Sequence, residues 1–319
     1  MIRASGLTKT FHRNNETIEA VKGIDVTVSE GELVAFLGPN GAGKSTTLRM
    51  LTSLLPPTAG TAHVAGWDVA THPAQVRSQI GYIGQGNGGG YSYRVLDELH
   101  NQGRFYGLRP AEYRRRAAAL VEALELGGLD KRTVQSLSGG QRRRLDVAMG
   151  LMNHPPLLFL DEPSTGLDPH SRANLWEHIT SMRRELGMTL VLTTHYLDEA
   201  DHMAERVVVI DHGEIIADAP PGVLKREFAD DTVTLTVAGR GETLADLLRP
   251  TWPQVVHRVQ AGAEQVVVTT SNGPESVPAI LDTARGGEHA VTAVDVRQAS
   301  LDDVFLNLTG RSLREEAQS

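Results

Sequence analysis

The sequence predicts an α/β fold, a parallel sheet covered by helices and followed by a smaller α+β domain, on three observations. An unbroken apolar run, Leu33–Leu37, sits between Gly31 and Gly38 and leads into a glycine-rich loop and a helical stretch. Strand-like apolar runs return at Leu157–Leu160, Leu190–Thr193 and Val207–Ile210, with helical patterns between them. Beyond Pro220-Pro221-Gly222 the order becomes β-α-β-β-α-β, the split pattern of a ferredoxin-like domain.

Taken in order, Ile2–Leu7 and Ile18–Val28 read as strands, and Leu33–Leu37 as a strand buried on both faces. A helix is expected from Lys44 to Leu55, stopped by Pro56-Pro57, where proline removes the amide donor a helix needs. From about Tyr93 to Gly150 strand patterning lapses. Ala117, Leu120, Val121 and Leu124 there recur at the spacing of one helix face, and Arg114-Arg115-Arg116 beside them reads as a solvated face. Helices at Pro169–Leu186 and Leu197–Ala204 separate the returning strands, and a further helix runs to about Phe228. The second domain then reads as strand Thr232–Val237, helix Thr243–Leu248, strands Val255–Val259 and Gln265–Thr270, helix Val277–Ala284 and strand Val291–Val296. The expected division is 1–228 and 229–319.

Composition narrows the functional classes. The chain has 319 residues, a formal net charge of −8 and no cysteine, which excludes disulfides and thiolate zinc sites. An acidic chain lacks the positive field that nucleic-acid binders use to release counterions, so no nucleic-acid partner is expected. The N-terminus lacks the apolar stretch of a signal peptide, and no segment approaches the roughly 18 apolar residues of a membrane span. A cytoplasmic chain is expected. Its 32 glycines, about a tenth of the residues against a usual 7% or so, call for a positional explanation.

The first comes from Gly38, Pro39, Asn40, Gly41, Ala42, Gly43, Lys44, Ser45 and Thr46, which fit G-x-x-x-x-G-K-[ST] between an apolar strand and a helix. Bare backbone lets successive amides face phosphate oxygens, and the helix start adds partial positive charge. Lys44 supplies a full charge at the β/γ-phosphates, and the Ser45 hydroxyl ligates Mg²⁺. Leu157–Leu160 ends in Asp161-Glu162: the first carboxylate suits the Mg²⁺ shell and the second suits polarisation of the attacking water; alone such a pair is more often a helix cap, and the phosphate loop beside it reverses that reading. Leu137-Ser138-Gly139-Gly140-Gln141 opens a helix, so Ser138 and the free amides there form a second anion-binding nest, or only an N-cap.

These three motifs, in this order, resemble the ATP-binding subunits of ABC transporters, from about Ile2 to Asp218. The resemblance implies a P-loop NTPase with a RecA-like parallel core, an N-terminal antiparallel β subdomain and a helical insert at about 91–150. It further implies ATP and Mg²⁺, a head-to-tail homodimer in which each ATP lies between one phosphate loop and the partner's Ser138–Gln141 segment, and a separate polytopic membrane permease that keeps the chain peripheral on the cytoplasmic face. Carried onto this sequence, Phe11 resembles the aromatic that stacks on adenine, though an aromatic there serves equally as core or turn filling. Gln85, after Ile80-Gly81-Tyr82-Ile83-Gly84, matches the glutamine that touches Mg²⁺ and water while relaying movement to the permease. Asp168 matches the contact residue of the interface loop and is also a good N-cap for the Pro169 helix. His195 looks like the switch histidine at the γ-phosphate. Lys44, Gln85, Glu162 and His195 are thus the expected catalytic residues.

The tail from Ser300 to Gly310 resembles the closing segment of daunorubicin/doxorubicin-type export ATPases, or is only an amphipathic helix on the small domain. Export of hydrophobic drug-like or lipid-like molecules is the expectation it carries; import is the alternative, because the hydrolysis motifs do not encode direction. A soluble ATPase acting on ribosomes or DNA usually carries two cassettes or a long coiled-coil insert, and this chain has one phosphate loop and neither. The sequence departs from the family at Gln85-Gly86-Asn87-Gly88-Gly89-Gly90-Tyr91, where four glycines predict either a loop mobile until ATP or a partner fixes it or a tolerated surface insertion.

Overall fold

A computed structural model describes residues 1–13, 16–86, 88–260 and 263–310. The chain divides into two compact units, Met1–Asp218 and Ala219–Ser319.

The first unit opens with β1 (Ile2–Arg13), paired antiparallel with β2 (Glu16–Val28). There follow β3 (Leu33–Leu37) and α1 (Lys44–Leu51). β4 (Ala59–Val64) returns to β1 and carries β5 (Trp67–Asp68), giving a sheet ordered β2-β1-β4-β5. α2 (Pro73–Gln79) and β6 (Ile80–Ile83) lead into the helices α3 (Val95–Phe105), α4 (Pro110–Ala123) and α5 (Gly139–Gly150). Next come β7 (Leu157–Asp161), α6 (Pro169–Leu186), β8 (Thr189–Thr194), α7 (Leu197–Met203), β9 (Arg206–Asp211) and β10 (Glu214–Ala219).

The second sheet is ordered β10-β9-β3-β8-β7-β6, and its pairs from β9 to β6 are parallel. Every residue of β3, β7 and β8 is buried, which is why these strands read as continuous apolar runs rather than alternating ones. The two sheets share one apolar core: Ile2, Leu7 and Val28 from the first pack in the same cluster as Phe36, Phe159 and Val191 from the second. On α4, Ala117, Leu120 and the following Leu124 are buried while Arg114 and Arg115 are exposed. Arg116 differs from the expected solvated face, because its guanidinium donates to the Met152 carbonyl (2.9 Å) and pairs with Glu112 (2.7 Å).

Helix α1 ends before the expected stop at the prolines. Ser53 adopts φ 57°, and the Ser53 and Leu54 amides bond back to the Met50 and Arg49 carbonyls at 3.0 and 2.9 Å. That is a left-handed C-terminal cap, so Pro56-Pro57 follow a helix already closed. Helix α6 keeps its expected bounds: Asp168 caps it by accepting from the Ser171 amide (3.0 Å), Pro169 opens it and Gly187 closes it at φ 63°.

The second unit begins with α8 (Pro221–Phe228), which packs on the last helix of the chain rather than closing the first unit, so the division falls ten residues before the expected 228/229. β11 (Asp231–Val237), α9 (Gly241–Leu248), β12 (Val255–Gln260), β13 (Ala263–Thr270), α10 (Gly273–Gly286) and β14 (Val291–Arg297) form an antiparallel sheet ordered β12-β13-β11-β14 with its two helices. This is the ferredoxin-like topology. Its core joins Val233, Leu235, Val266 and Val268 of the sheet to Leu244, Leu248 and Ile280 of the helices. α11 (Leu301–Thr309) is the tail helix; Ser300 and Asp303 form its capping box, and Asn307 donates to the Phe228 carbonyl (2.8 Å).

Candidate functional site

Parallel register assembles the site. Leu37 on β3 lies beside Thr194 on β8, Asp161 on β7 beside Thr193, and Ile83 on β6 beside Leu160. The segments leaving β3, β6, β7 and β8 therefore emerge at one sheet edge, the carboxyl edge where open α/β sheets bind ligands. They carry Lys44 and Ser45, Gln85, Glu162, and His195 respectively.

In the phosphate loop Gly43 caps α1 at φ 104°, and a Cβ there would stand 2.5 Å from the Ala20 carbonyl oxygen, so only glycine fits. Lys44 is 4% exposed. Its ammonium donates to the Gly38 and Pro39 carbonyls at 2.7 and 2.8 Å and lies 4.0 Å from Glu162 Oε1. Burial pushes the Lys44 pKa down, while Glu162 and Asp161 oppose that shift.

Asp161 is fully buried, and its Oδ1 accepts hydroxyl hydrogen bonds from Ser45 and Thr193, both at 2.7 Å. The Tyr82 hydroxyl lies 3.4 Å from Oδ2, and the Gln85 amide nitrogen lies 3.3 Å from Ser45 Oγ. This hydroxyl, carboxylate and amide set is the hard, oxygen-rich kind that suits Mg²⁺. Among the described residues no group of three or more His, Cys, Asp or Glu side chains could hold a metal. Mg²⁺ commonly takes one or two protein ligands and completes its shell with substrate phosphates and water.

Glu162 has a left-handed backbone, φ 47°, uncommon for a residue with a Cβ. Thr193 holds it there: the Glu162 amide donates to the Thr193 carbonyl (3.1 Å) and to Thr193 Oγ1 (3.0 Å). Glu162 Oε2 accepts from Thr165 Oγ1 (3.2 Å) and lies 3.4 Å from His195 Nδ1. The His195 imidazole above all, with the Lys44 ammonium, holds the Glu162 carboxyl below the usual carboxylate range against the opposing effect of burial. An ionised carboxylate beside a buried ammonium can orient a water and accept its hydrogen bond while phosphate charge is neutralised opposite.

Ser138 begins α5 with a capping box: its Oγ accepts from the Gln141 amide (3.2 Å), and its own amide donates to Gln141 Oε1 (3.0 Å). By position the Gly139 and Gly140 amides have no intrahelical acceptor and remain donors for an anion. Asp168 is exposed and engaged with Ser171, beside which Gly140 packs. Phe11 lies on β1, 38% exposed, with the Lys9 ammonium 5.3 Å from its ring centroid, outside the Lys44–Glu162 cluster.

Two glycines of the Gly86–Gly90 segment, in which Asn87 lies outside the described residues, make backbone hydrogen bonds to buried or half-buried carboxylates. The Gly88 amide donates to Asp146 Oδ1 (2.9 Å) and the Gly90 amide to Glu98 Oε1 (2.8 Å). A Cβ on Gly90 would meet the Tyr93 ring at 2.6 Å, so close packing explains that glycine. Thr193, Arg143 and Asp146 went unread in the sequence. Thr193 had only a weak signal, since the buried strand Thr189–Thr194 carries three threonines; Arg143 was hidden in the run Arg142-Arg143-Arg144.

A phosphate loop on a parallel sheet, a buried carboxylate beside its serine and a second anion-binding helix start define a P-loop nucleotide hydrolase. Residues 21–165 match the family model described as ABC transporter. The chain is 39% identical to the daunorubicin/doxorubicin resistance ATP-binding protein DrrA of Streptomyces peucetius, over 99% of this chain and 96% of that protein. It is 36% identical to the Nod factor export ATP-binding protein I of Ralstonia nicotianae, over 99% and 95%. Among solved structures it is similar to a dimeric, post-hydrolysis ATP-binding cassette bound to ADP and Pi, at 27% identity and TM-score 0.64, covering 69% of this chain and 98% of that one. The chain belongs to the ATP-binding subunits of ABC transporters, and it is an ATPase.

Proposed function

We propose that this chain is the ATPase subunit of an exporter of hydrophobic drug-like or lipid-like molecules, in which Lys44, Gln85, Glu162 and His195 serve hydrolysis. The convergence of these four side chains with Ser45 and Asp161 at one sheet edge carries the reading. The relatives named for drug resistance and Nod factor export supply its direction.

Phosphoryl transfer asks a protein for positioning and charge rather than covalent chemistry. Lys44 leaves its two carbonyl acceptors to meet the β/γ-phosphates, among the amides of Gly41–Ser45. Glu162 accepts a hydrogen bond from the attacking water, with Gln85 and His195 orienting water and γ-phosphate. Ser45, Gln85 and Asp161 would hold Mg²⁺, which supplies charge neutralisation at the β/γ-phosphates when bound. Phe11 offers an aromatic face for adenine. In a homodimer, Ser138, Gly139 and Gly140 of the second copy present their nest to the same nucleotide, and the Asp168 loop lines the interface.

Among the described residues no helix is long and apolar enough to cross a membrane. A separate polytopic permease is the proposed partner, with the chain peripheral on the cytoplasmic face and the second unit an accessory domain. The test is to trap the Glu162→Gln chain with Mg·ATP in its native membrane fraction, purify it and identify what accompanies it by mass spectrometry. A polytopic permease supports the reading; ribosomal proteins in its place refute it.

A further inference from the structure

Helix α5 carries two buried charged side chains that the hydrolytic roles above do not use. Arg143 and Asp146 are each 6% exposed. The Arg143 guanidinium spends its donors on backbone: Nη1 on the Gly84 carbonyl (2.7 Å), Nε on Pro163 (2.5 Å), and Nη2 on Asp161 and Glu162 (both 3.4 Å). Asp146 Oδ1 accepts from the Gly88 amide (2.9 Å), while its Oδ2 lies 3.7 Å from Arg143 Nη1 and has no hydrogen-bond partner.

Gly84 and Gly88 flank Gln85, so the pair grips both sides of the segment that presents this side chain. Gln85 itself is exposed and reaches Ser45 Oγ at 3.3 Å. The same guanidinium binds the successive carbonyls of Asp161, Glu162 and Pro163. Buried charges are a poor way to gain stability alone, since apolar residues of similar volume often do as well or better. Here the charges reach out of their helix to two loops of the site. The other end of α5 is the Ser138 capping box, one to two helical turns away along a rigid element.

We propose that Arg143 and Asp146 are positioning residues that couple the Ser138 end of α5 to Gln85 and Glu162 of the same chain. The proposal rests on the site reading above. Nucleotide held by one copy pulls on α5 of the other, and the pair passes that displacement to the second copy's own hydrolytic side chains. The two ATP sites then turn over cooperatively, with the coupling carried by a contiguous hydrogen-bonded element.

The test uses the full-length chain and four variants: Asp146→Ala; Asp146→Asn, which keeps an acceptor for the Gly88 amide; Arg143→Lys; and Glu162→Gln as reference. Wild type is expected to hydrolyse ATP with a Hill coefficient above 1. Asp146→Ala and Arg143→Lys should lower kcat about tenfold and bring the Hill coefficient to about 1, with affinity for a non-hydrolysable ATP analogue within about threefold of wild type. Asp146→Asn should regain most of the lost kcat. In the nucleotide-free chain, hydrogen exchange across Gly84–Tyr91 should quicken about tenfold in Asp146→Ala and stay near wild type in Asp146→Asn. A non-cooperative wild type, unchanged exchange in Asp146→Ala, or equal losses in Asp146→Ala and Asp146→Asn overturns the coupling. Wild-type hydrolysis by Glu162→Gln would instead overturn the site reading, a separate outcome.

Discussion

His195 Nδ1 stands 3.4 Å from Glu162 Oε2, bringing the segments that leave β8 and β7 together beside Lys44 of the phosphate loop. The imidazole helps hold the carboxylate ionised and in place. Glu162→Gln removes the charge and retains the shape. Hydrolysis should fall about a hundredfold or more while ATP binding persists, and light scattering should show an ATP-dependent dimer accumulating. Hydrolysis at the wild-type rate would remove Glu162 from its role.

Lys44→Ala deletes the buried ammonium that bridges the Gly38 and Pro39 carbonyls. Nucleotide affinity should drop about a hundredfold or more, roughly 3 kcal/mol. Titration calorimetry with a non-hydrolysable analogue reads this directly, and affinity within twofold of wild type would contradict the assignment.

Thr193→Val keeps the volume of a side chain that donates to Asp161 and accepts from the Glu162 amide. We expect a stability loss of about 1–2 kcal/mol in urea unfolding. ATPase activity should also fall, because the Glu162 turn loses one of its two ties. A variant as active and as stable as wild type would show that the Thr193 hydroxyl is idle.

Asp168 titrates below the ordinary aspartate range because the Ser171 hydroxyl, and then its amide, hydrogen-bond its ionised form. A depressed folded-state pKa stabilises above the unfolded value of about 3.9, and that stabilisation is lost as pH falls through the folded value. The stability difference between wild type and Asp168→Asn should therefore be constant between about pH 7 and 5 and shrink below about pH 4. A difference that stays constant down to about pH 2 would assign the cap no charge dependence.

Where the chain marks its own boundaries in local chemistry, sequence and structure agree. Asp168, Pro169 and Gly187 delimit α6, and the G-x-x-x-x-G-K-S match sets the start of α1. The end of α1 was not legible, since its left-handed cap falls on Ser53, a residue with no special claim to that conformation. Lys44, Ser45 and the Asp161-Glu162 pair were legible as candidates because phosphate chemistry restricts residue types in such motifs, whereas Gln85 and His195 were named only by the family resemblance. Arg143 and Asp146 were not, because Arg143 donates to the carbonyls of Gly84 and Pro163 while Asp146 accepts from the Gly88 amide, and a backbone partner leaves no trace in residue type. The boundary between the units was displaced for a similar reason: α8 is assigned by what it packs on, the distant α11.

With the role proposed for Glu162, its φ of 47° sets stability against turnover at a single position. A side chain with a Cβ in that conformation costs of order 1–3 kcal/mol, and glycine would occupy it without that cost. Substituting glycine relieves the strain and removes the carboxylate in the same step. Selection for a more robust fold and selection for hydrolysis thus pull this residue in opposite directions, and a thermostabilised lineage released from transport would be expected to lose its glutamate first.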